Sequence, residues 1–227
     1  MKIAVFGGSF NPIHTGHLAL AEDVALKLGY DKIIFVPAGI PPHKRNSLEI
    51  SGECRFEMVK RAVSGNDLFC AEDYEIRKEG VSYTWDTVNY LEEKYSGLLE
   101  EKLGLIMGDD LVPDFHLWKN AQDLSKRCRL ILVRRPEIYR SAFFPSATDN
   151  KSLGEYGKRT ASELYENPYD IAKDPLFKDA VFFENAMILL SSSEIRSRIM
   201  AGDAFQYLVP RPVFDYIKAE GLYGYKR

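Results

Sequence analysis

The sequence predicts an α/β fold, with a doubly wound parallel sheet and a C-terminal helical segment. Short apolar runs alternate along the chain with segments whose apolar residues recur at three- and four-residue spacing. This alternation is typical of parallel βαβ units, whose ligands bind beyond the carboxyl ends of the strands. The 227 residues, 45% of them hydrophobic, suffice for a single domain spanning residues 1–227.

The first strand, helix and second strand are the most clearly marked elements. Residues 2–6 (KIAVF) form an apolar run that ends at Gly-Gly, as expected of a buried strand. Helical spacing of apolar residues begins at Gly16, and Gly29 stands where that helix would stop. Residues 32–36 (KIIFV) then predict a second strand, which Pro37 ends.

Two further helices are expected in the first half of the chain. Residues 50–64 have the apolar spacing of a helix, and Ser51 is a candidate N-cap. Residues 84–95 (TWDTVNYLEEKY) have similar spacing, with the hydroxyls of Ser82 and Thr84 available to cap the helix.

The remaining strands are predicted from apolar runs at 68–71, 103–107, 129–134 and 186–190. The last of these runs leads into a helix opened by three serines. A closing helix is predicted at 212–220, with proline near its start and glycine beyond its end.

The connection between the first strand and the first helix, residues 7–17 (GGSFNPIHTGH), predicts an anion-binding site. A helix N-terminus offers unpaired N–H groups and partial positive charge, and glycines let backbone approach a ligand. A lone Gly-Gly would be only a turn, and a lone loop histidine is usually solvated, but here they occur together. The residues concerned are Gly7, Gly8, Gly16, His14 and His17.

A second phosphate site is predicted at the late serine-rich helix start. Ser191 and Glu194 alone would fit an ordinary capping box. That alternative does not account for two further hydroxyls, those of Ser192 and Ser193, or for Arg196 one turn inside the helix. We therefore favour a cradle for a polyphosphate.

Residues 41–45 (PPHKR) combine a stiff turn with three candidate cations. Taken alone, this stretch would be a solvated loop. Because it follows the second strand, His43 would lie at the same sheet edge as the two histidines of the first loop, within reach of a phosphate.

Between about 137 and 180 the alternation breaks into an aromatic-rich excursion. Packing on the sheet edge or a subunit contact is favoured over a catalytic lid. Its aromatic residues are Tyr139, Phe143, Phe144, Tyr156, Tyr165, Tyr169 and Phe177.

Composition excludes several classes of protein. A net charge of −3 argues against a nucleic-acid-binding surface. The sequence has neither a signal-peptide pattern nor an apolar run of bilayer length. Cys54, Cys70 and Cys128 lack the spacing of a zinc or redox motif, which predicts reduced thiols in a cytoplasmic protein and no protein-held metal.

The motifs together resemble the HxGH nucleotidyltransferases, and among them the bacterial nicotinate-nucleotide adenylyltransferases. The resemblance runs in order from residue 2 to about 136 and again from about 186 to 223. It rests on the segments 7–17 and 191–196, together with PPHK at 41–44, SYT at 82–84, GDD at 108–110, FHLW at 115–118 and RRP at 134–136.

The resemblance implies a Rossmann-like fold and adenylyl transfer from ATP to nicotinate mononucleotide, forming deamido-NAD and pyrophosphate. Mg²⁺ would arrive with ATP, the partners would be these small molecules, and a homo-oligomer is allowed. His14, His17 and Arg196 would be catalytic. The ATP set would be Gly7, Gly8, Ser9, Phe10, His14, His17, Ser192, Ser193 and Arg196. The mononucleotide set would be Lys44, Ser82, Tyr83, Thr84, Asp110, Trp118 and Arg135.

Two residues depart from the family pattern. Asn11 stands where aspartate is common, which leaves open whether a side chain there touches Mg²⁺. Glu137 stands where glycine is frequent, which affects the path into the excursion. Three alternatives stay open: a sister enzyme acting on phosphopantetheine or nicotinamide mononucleotide, a non-catalytic nucleotide-binding regulator, and a fragment of a class I aminoacyl-tRNA synthetase.

Overall fold

The computed structural model describes residues 1–39, 50–134, 171–186 and 188–226. Within these ranges six strands form one sheet in the order β3-β2-β1-β4-β5-β6, and every neighbouring pair is parallel. The order reverses between β1 and β4, as in doubly wound sheets. The strands are β1 (Ile3–Gly8), β2 (Lys32–Pro37), β3 (Phe69–Ala71), β4 (Gly104–Gly108), β5 (Arg129–Val133) and β6 (Val181–Phe183).

Seven α-helices lie in the described ranges, and short 3₁₀ turns join several elements. The helices are α1 (Thr15–Leu28), α2 (Gly52–Val63), α3 (Tyr74–Arg77), α4 (Thr84–Lys94), α5 (Ala121–Arg127), α6 (Ser192–Ala201) and α7 (Arg211–Glu220). The 3₁₀ turns are Asp109–Leu111, Phe115–Leu117, Ile171–Lys173, Pro175–Phe177 and Leu222–Gly224. Within the described ranges no helix is both long and apolar enough to cross a bilayer.

The sheet is buried on both faces because its strands alternate between two apolar clusters. In β1, Ala4 and Phe6 join the cluster covered by α1, α2, α6 and α7, whereas Ile3 and Val5 join the cluster covered by α4 and α5. Side chains of a strand alternate between its two faces, so helices on both sides are needed to bury it. The doubly wound α/β prediction is confirmed.

Local end signals behave as the sequence indicates at α1 and α2. The Ser51 hydroxyl accepts a hydrogen bond from the Cys54 N–H at 3.3 Å, which caps α2. Gly29 ends α1 in the left-handed conformation, with φ of 70°. The capping prediction for α4 was wrong, because its N-cap is Tyr83 and no side chain of the described ranges caps it.

The prediction of a strand at 186–190 was also wrong, since the sixth strand is β6. The Asn185 side chain accepts a hydrogen bond from the Arg134 N–H at 2.9 Å and donates to the Arg134 carbonyl at 3.2 Å. A side-chain amide thus replaces the next rung of the ladder beyond β5. The apolar residues that follow lead to α6 instead, and Leu190 packs against the core.

Of the aromatic-rich excursion, only residues 171–180 are described. Phe177 is buried there, with its ring centroid 5.2 Å from that of Phe115. This contact fits the packing alternative for Phe177. The other aromatic residues of the excursion, and Glu137, lie outside the described residues, and the single-domain assignment stays a prediction.

Candidate active site

The candidate site lies at the carboxyl edge of the sheet, where the strand order reverses between β1 and β4. The chain leaving β1 enters α1, and the N-terminus of α6 packs against the same loop. The Ser192 hydroxyl donates to the Pro12 carbonyl at 2.8 Å, and Arg196 Nη1 donates to the Asn11 carbonyl at 2.8 Å. Two motifs about 180 residues apart in sequence therefore meet, as the sequence predicts.

His17 is oriented by the backbone of the preceding turn. Its Nδ1 accepts a hydrogen bond from the N–H of His14, the N-cap of α1, at 3.2 Å. Accepting this bond requires an unprotonated Nδ1, so the ring proton is carried by Nε2. His17 therefore presents its other nitrogen as a hydrogen-bond donor.

The plane of the His17 ring is fixed by three aromatic neighbours. The buried His14 ring stacks on it, with centroids 3.7 Å apart and planes 28° from parallel. The Phe10 ring meets it edge-on at 5.1 Å, and the Phe6 ring at 6.0 Å. A ring held on several sides needs little reorganisation when it binds a ligand.

The three glycines of residues 7–17 differ in the space that surrounds them. A Cβ at Gly8 would lie 3.1 Å from the Phe10 ring, and one at Gly16 would lie 3.1 Å from the His14 ring. These two positions make room for the protein's own rings. A Cβ at Gly7 would meet nothing within 4 Å. Gly7, near the end of β1, is therefore the one of these three glycines beside which space is open to a ligand.

The serine-rich helix start combines capping with contacts to the first loop. The Ser191 hydroxyl accepts from the Glu194 N–H at 3.1 Å, so the capping explanation holds for this serine. Arg196 Nη2 donates to the Ser193 hydroxyl at 3.3 Å. The guanidinium thus lies at the N-terminus of α6, where fixed donors and the helix dipole favour an anion.

Asn11 faces the protein interior. It is 3% exposed, its side-chain carbonyl accepts from the Tyr223 hydroxyl at 2.7 Å, and its peptide bond to Pro12 is cis.

In the described part of the chain, no group of three or more histidine, cysteine, aspartate or glutamate residues could hold a metal ion.

The predicted pyridine-binding residues lie around the N-terminus of α4. The helix begins after Tyr83, so the N–H groups of Thr84 and Trp85 precede its first internal hydrogen bond. Ser82 is buried, and among the described residues its hydroxyl has no hydrogen-bond partner. Unpaired backbone donors at a helix start suit a carboxylate.

Trp118 and Asp110 follow β4 at the same edge of the sheet. Asp110 is exposed on the 3₁₀ turn directly after the strand. The half-buried Trp118 ring packs on Phe115, with centroids 5.2 Å apart. From either position a side chain can reach a ligand that lies beyond the ends of the strands.

Lys119, the residue after Trp118, contacts the start of α4, and this contact was not predicted from the sequence. Lys119 Nζ donates to Asp86 at 2.8 Å and lies 5.0 Å from the centroid of the Tyr83 ring. Lys78 also donates to Asp86. Burial alone would raise the pKa of Asp86, but hydrogen bonds from Lys119 and Lys78 hold it below its usual range.

The buried guanidinium of Arg55 was also not predicted. It is 1% exposed and contacts the loops that follow β1 and β2. The only sequence signal was a charged residue on the buried face of a predicted helix. His43, Lys44 and Arg135 lie outside the described residues, so their predicted roles stay predictions.

Comparison with known proteins identifies the family of this chain. A model of the cytidylyltransferase-like family matches residues 5–198. A probable nicotinate-nucleotide adenylyltransferase from Clostridium tetani is 32% identical, over 98% of this chain and 98% of that protein. A protein of the same description from Treponema pallidum is 34% identical, over 98% and 99%.

Among solved structures, a similar one is the Plasmodium falciparum nicotinic acid mononucleotide adenylyltransferase complexed with NaAD. It has a TM-score of 0.63 and 18% identity, over 99% of this chain and 98% of that chain. At this identity the likeness shows the fold alone. The sequence relatives, which are full-length matches, decide the family. The chain belongs to the cytidylyltransferase-like family and, within it, to the nicotinate-nucleotide adenylyltransferases.

Proposed function

We propose that this protein transfers the adenylyl group of ATP to nicotinate mononucleotide, forming deamido-NAD and releasing pyrophosphate. The observation that carries the proposal is the orientation of His17. Its Nδ1 accepts from the His14 N–H at 3.2 Å, so the ring proton is on Nε2, and His17 stands in the first turn of α1, where a helix start favours phosphate. The full-length relatives of the same family support the same reaction.

The chemistry requires alignment and charge neutralisation. A 5′-phosphate oxygen of the mononucleotide attacks the α-phosphorus of ATP, and the bond from that phosphorus to the bridging oxygen of the leaving pyrophosphate breaks. A phosphate dianion is already a nucleophile, so neither a general base nor a covalent intermediate is needed. Donors fixed before the reaction stabilise the charge that moves onto the α-phosphate and the pyrophosphate.

On the ATP side, His17 Nε2 would donate to an α-phosphate oxygen and His14 would approach the triphosphate from the N-cap position. Arg196 and the start of α6 would hold the β- and γ-phosphates, because a planar guanidinium matches phosphate oxygens in pairs. The end of β1 and the loop after it would supply backbone contacts from Gly7, Gly8, Ser9 and Phe10. Ser192 and Ser193 would contribute the N–H groups of the α6 start.

On the mononucleotide side, the N-terminus of α4 would receive the nicotinate carboxylate. Ser82, Tyr83 and Thr84 form the approach to this helix, and the Ser82 hydroxyl, which has no partner in the described part of the chain, supports a polar ligand there. The pyridine ring would stack on Trp118, and Asp110 would accept from ribose hydroxyls. Lys44 and Arg135 remain candidates for the mononucleotide phosphate.

We propose that Mg²⁺ enters as the counter-ion of ATP. Its chemistry would be to neutralise the β- and γ-phosphate oxygens as pyrophosphate leaves. The inward orientation of Asn11, whose amide oxygen is bound by Tyr223, supports a site in which no side chain at position 11 contacts the metal. Activity measured in EDTA, with and without an excess of MgCl₂, tests whether the reaction requires Mg²⁺.

The experiment for the proposed reaction is incubation of the purified protein with ATP and nicotinate mononucleotide, followed by mass spectrometry of the products. We expect deamido-NAD and pyrophosphate in equal amounts. Parallel reactions with phosphopantetheine and with nicotinamide mononucleotide test the sister activities. Absence of pyrophosphate in all three would favour the non-catalytic regulator. A cytoplasmic location and a homo-oligomer remain proposals, which cell fractionation and size-exclusion chromatography with light scattering would test.

A further inference from the structure

We propose that Arg55 is a positioning residue for adenylyl transfer, a buried cation that holds two loops of the site and whose charge the bound triphosphate balances. The inference rests on the proposed function, since it assigns Arg55 to the ATP half of that site. It concerns a residue on the second helix, outside the glycine, histidine and serine motifs.

Arg55 reaches the site from the first turn of α2. Of the described side chains that are fully buried, it is the largest. One guanidinium nitrogen, Nη1, donates to the Ser9 carbonyl at 2.9 Å, and the other, Nη2, donates to the Gly39 carbonyl at 3.4 Å. Ser9 belongs to the loop after β1, and Gly39 follows β2. A single side chain therefore joins the ends of two adjacent strands.

The bond to Ser9 sets the direction of the peptide that precedes Phe10. In a trans peptide the C=O and N–H point in opposite directions. Because Arg55 holds the Ser9 carbonyl, the Phe10 N–H is turned away from α2. Phe10 has a φ of 45°, which a bulky residue adopts only when its surroundings impose it. Arg55 on one side and the aromatic contacts of Phe10 on the other impose this conformation.

Both backbone polar groups of Gly39 are hydrogen-bonded to side chains. Its N–H donates to Glu75 at 3.3 Å, and its carbonyl accepts from Arg55. A Cβ at Gly39 would lie 2.1 Å from the Glu75 carbonyl oxygen, so the backbone passes in close contact with α3. Movement of the guanidinium would therefore be transmitted to the loops after both strands.

Among the described residues, no carboxylate contacts the guanidinium of Arg55 to balance its charge. Within the described ranges its hydrogen bonds go to backbone carbonyls, and its Nε, although buried, has no partner. Burial lowers the pKa of Arg55, against smaller opposing effects of Tyr223, Glu53 and Glu75. An arginine nevertheless stays protonated in proteins, and a buried cation of this kind is stabilised when an anion binds nearby. The anion that the neighbouring loop is built to receive is the triphosphate.

The test compares Arg55→Met with Arg61→Met. Arg61 lies on the same helix, but it is exposed and paired with Glu57, so it serves as the matched control. ATP affinity is measured by calorimetry in the absence of mononucleotide, and circular dichroism verifies folding. We expect Arg55→Met to weaken ATP binding by about 10- to 100-fold, and Arg61→Met by less than about twofold.

Two further measurements separate positioning from simple structural support. In Arg55→Ala, millimolar guanidinium should restore part of the ATP affinity, measured by the same calorimetry without mononucleotide, whereas sodium chloride at equal ionic strength should not. Arg55→Lys, which keeps the charge and most of the volume, should bind ATP with intermediate affinity. If Arg55→Met fails to fold, the ATP affinity of Arg55→Lys is compared with that of Arg61→Met instead.

The proposal is overturned if a folded Arg55→Met binds ATP as tightly as Arg61→Met, or if Arg55→Lys does so when it is the folded variant. It is also overturned if guanidinium restores nothing. Because ATP binding is measured without an acceptor, these outcomes do not depend on nicotinate mononucleotide being the substrate. Failure of the wild-type enzyme to form deamido-NAD would instead count against the proposed function.

Discussion

His17 uses its two ring nitrogens for two separate tasks. Nδ1 accepts from the His14 N–H and so completes the start of α1, while Nε2 keeps the proton that a phosphate oxygen can accept. The first task contributes to stability, and in the proposed reaction the second would contribute to catalysis. Because they involve different atoms, a substitution can remove one and retain the other.

We therefore predict that His17→Asn folds like the wild type but loses most of its activity. An asparagine oxygen can take the place of Nδ1 as an acceptor at the helix start, but its side chain is too short to donate from the position of Nε2. The loss of one donor to transition-state charge lowers kcat on the order of 10²- to 10³-fold. His17→Ala serves as the comparison, since it should lose activity and also about 1 kcal/mol of unfolding free energy.

Steady-state kinetics and urea denaturation of the two variants check this prediction. A near-normal kcat for His17→Asn would show that the imidazole Nε2 does not act on the reacting phosphate.

Individual residues differ in how well the sequence predicts them. His14, His17 and Arg196 could be proposed from the sequence because they lie in short segments whose local pattern already predicts a strand end or a helix start. Arg55 and Lys119 were not, since their importance depends on contacts with residues distant in sequence. Nothing near Arg55 in the sequence indicates that its guanidinium reaches the Ser9 carbonyl.

At the scale of elements, the start of α4 and the segment after β4 form one unit. Lys119, the neighbour of Trp118, is bonded to Asp86 in the first turn of α4, and Lys78 bonds to the same carboxylate. Hydrogen bonds that lower the pKa of Asp86 keep it ionised as the pH falls through the ordinary carboxyl range. The contact therefore persists at neutral pH and is lost only in stronger acid, below that range.

We predict that Lys119→Met lowers the preference for nicotinate over nicotinamide mononucleotide. Removing the cation leaves more of the Asp86 charge close to the expected position of the nicotinate carboxylate, which repels the acid and not the amide. Lys119 is 43% exposed, so solvent screening limits the decrease in the kcat/KM ratio to roughly two- to fivefold. Competing kinetics with both mononucleotides measures the ratio.

Lys126→Met, on the exposed face of α5, is the control and should leave the ratio unchanged. Adding Asp86→Asn to Lys119→Met should restore the ratio, because the repelling carboxylate is gone. If Lys119→Met reduces kcat/KM equally for both substrates, Lys119 acts only by holding Trp118.

At the scale of the whole molecule, the site depends on the close spacing of the central strands. Gly104 begins β4 and pairs with Ala4 of β1 and Arg129 of β5. A Cβ at Gly104 would lie 2.6 Å from the Tyr30 hydroxyl and 2.8 Å from the Ala4 Cβ. Because Tyr30 is itself buried, its ring has little room to move. The same burial raises the pKa of Tyr30 to about 12.

We predict that Gly104→Ala destabilises the protein by about 1–3 kcal/mol, the usual cost of overpacking a core. Urea denaturation measures the effect. Tyr30→Leu removes one of the two contacts, so the double variant should be more stable than the sum of the single effects implies. Strict additivity of the two substitutions would contradict the contact at the centre of the sheet.

The sheet could be predicted largely from sequence because its inner strands are continuous apolar runs with clear ends, as at 32–36 and 129–134. The exception was the sixth strand. An apolar run at 186–190 was indistinguishable by pattern from a strand, and only the bonds between Asn185 and Arg134 place that segment outside the ladder. The doubly wound parallel arrangement could be predicted from general rules, whereas the contacts that hold the loops could not.

The most direct test of the account is the kcat/KM ratio of nicotinate to nicotinamide mononucleotide in the wild-type enzyme. Leaving a buried donor unpaired costs about 1–3 kcal/mol, and losing the charge at the start of α4 costs about 0.3–1 kcal/mol more. At about 1.4 kcal/mol per tenfold, we predict a ratio of roughly ten- to several-hundred-fold in favour of the acid. Equal values for the two mononucleotides, or a higher value for the amide, would contradict the account.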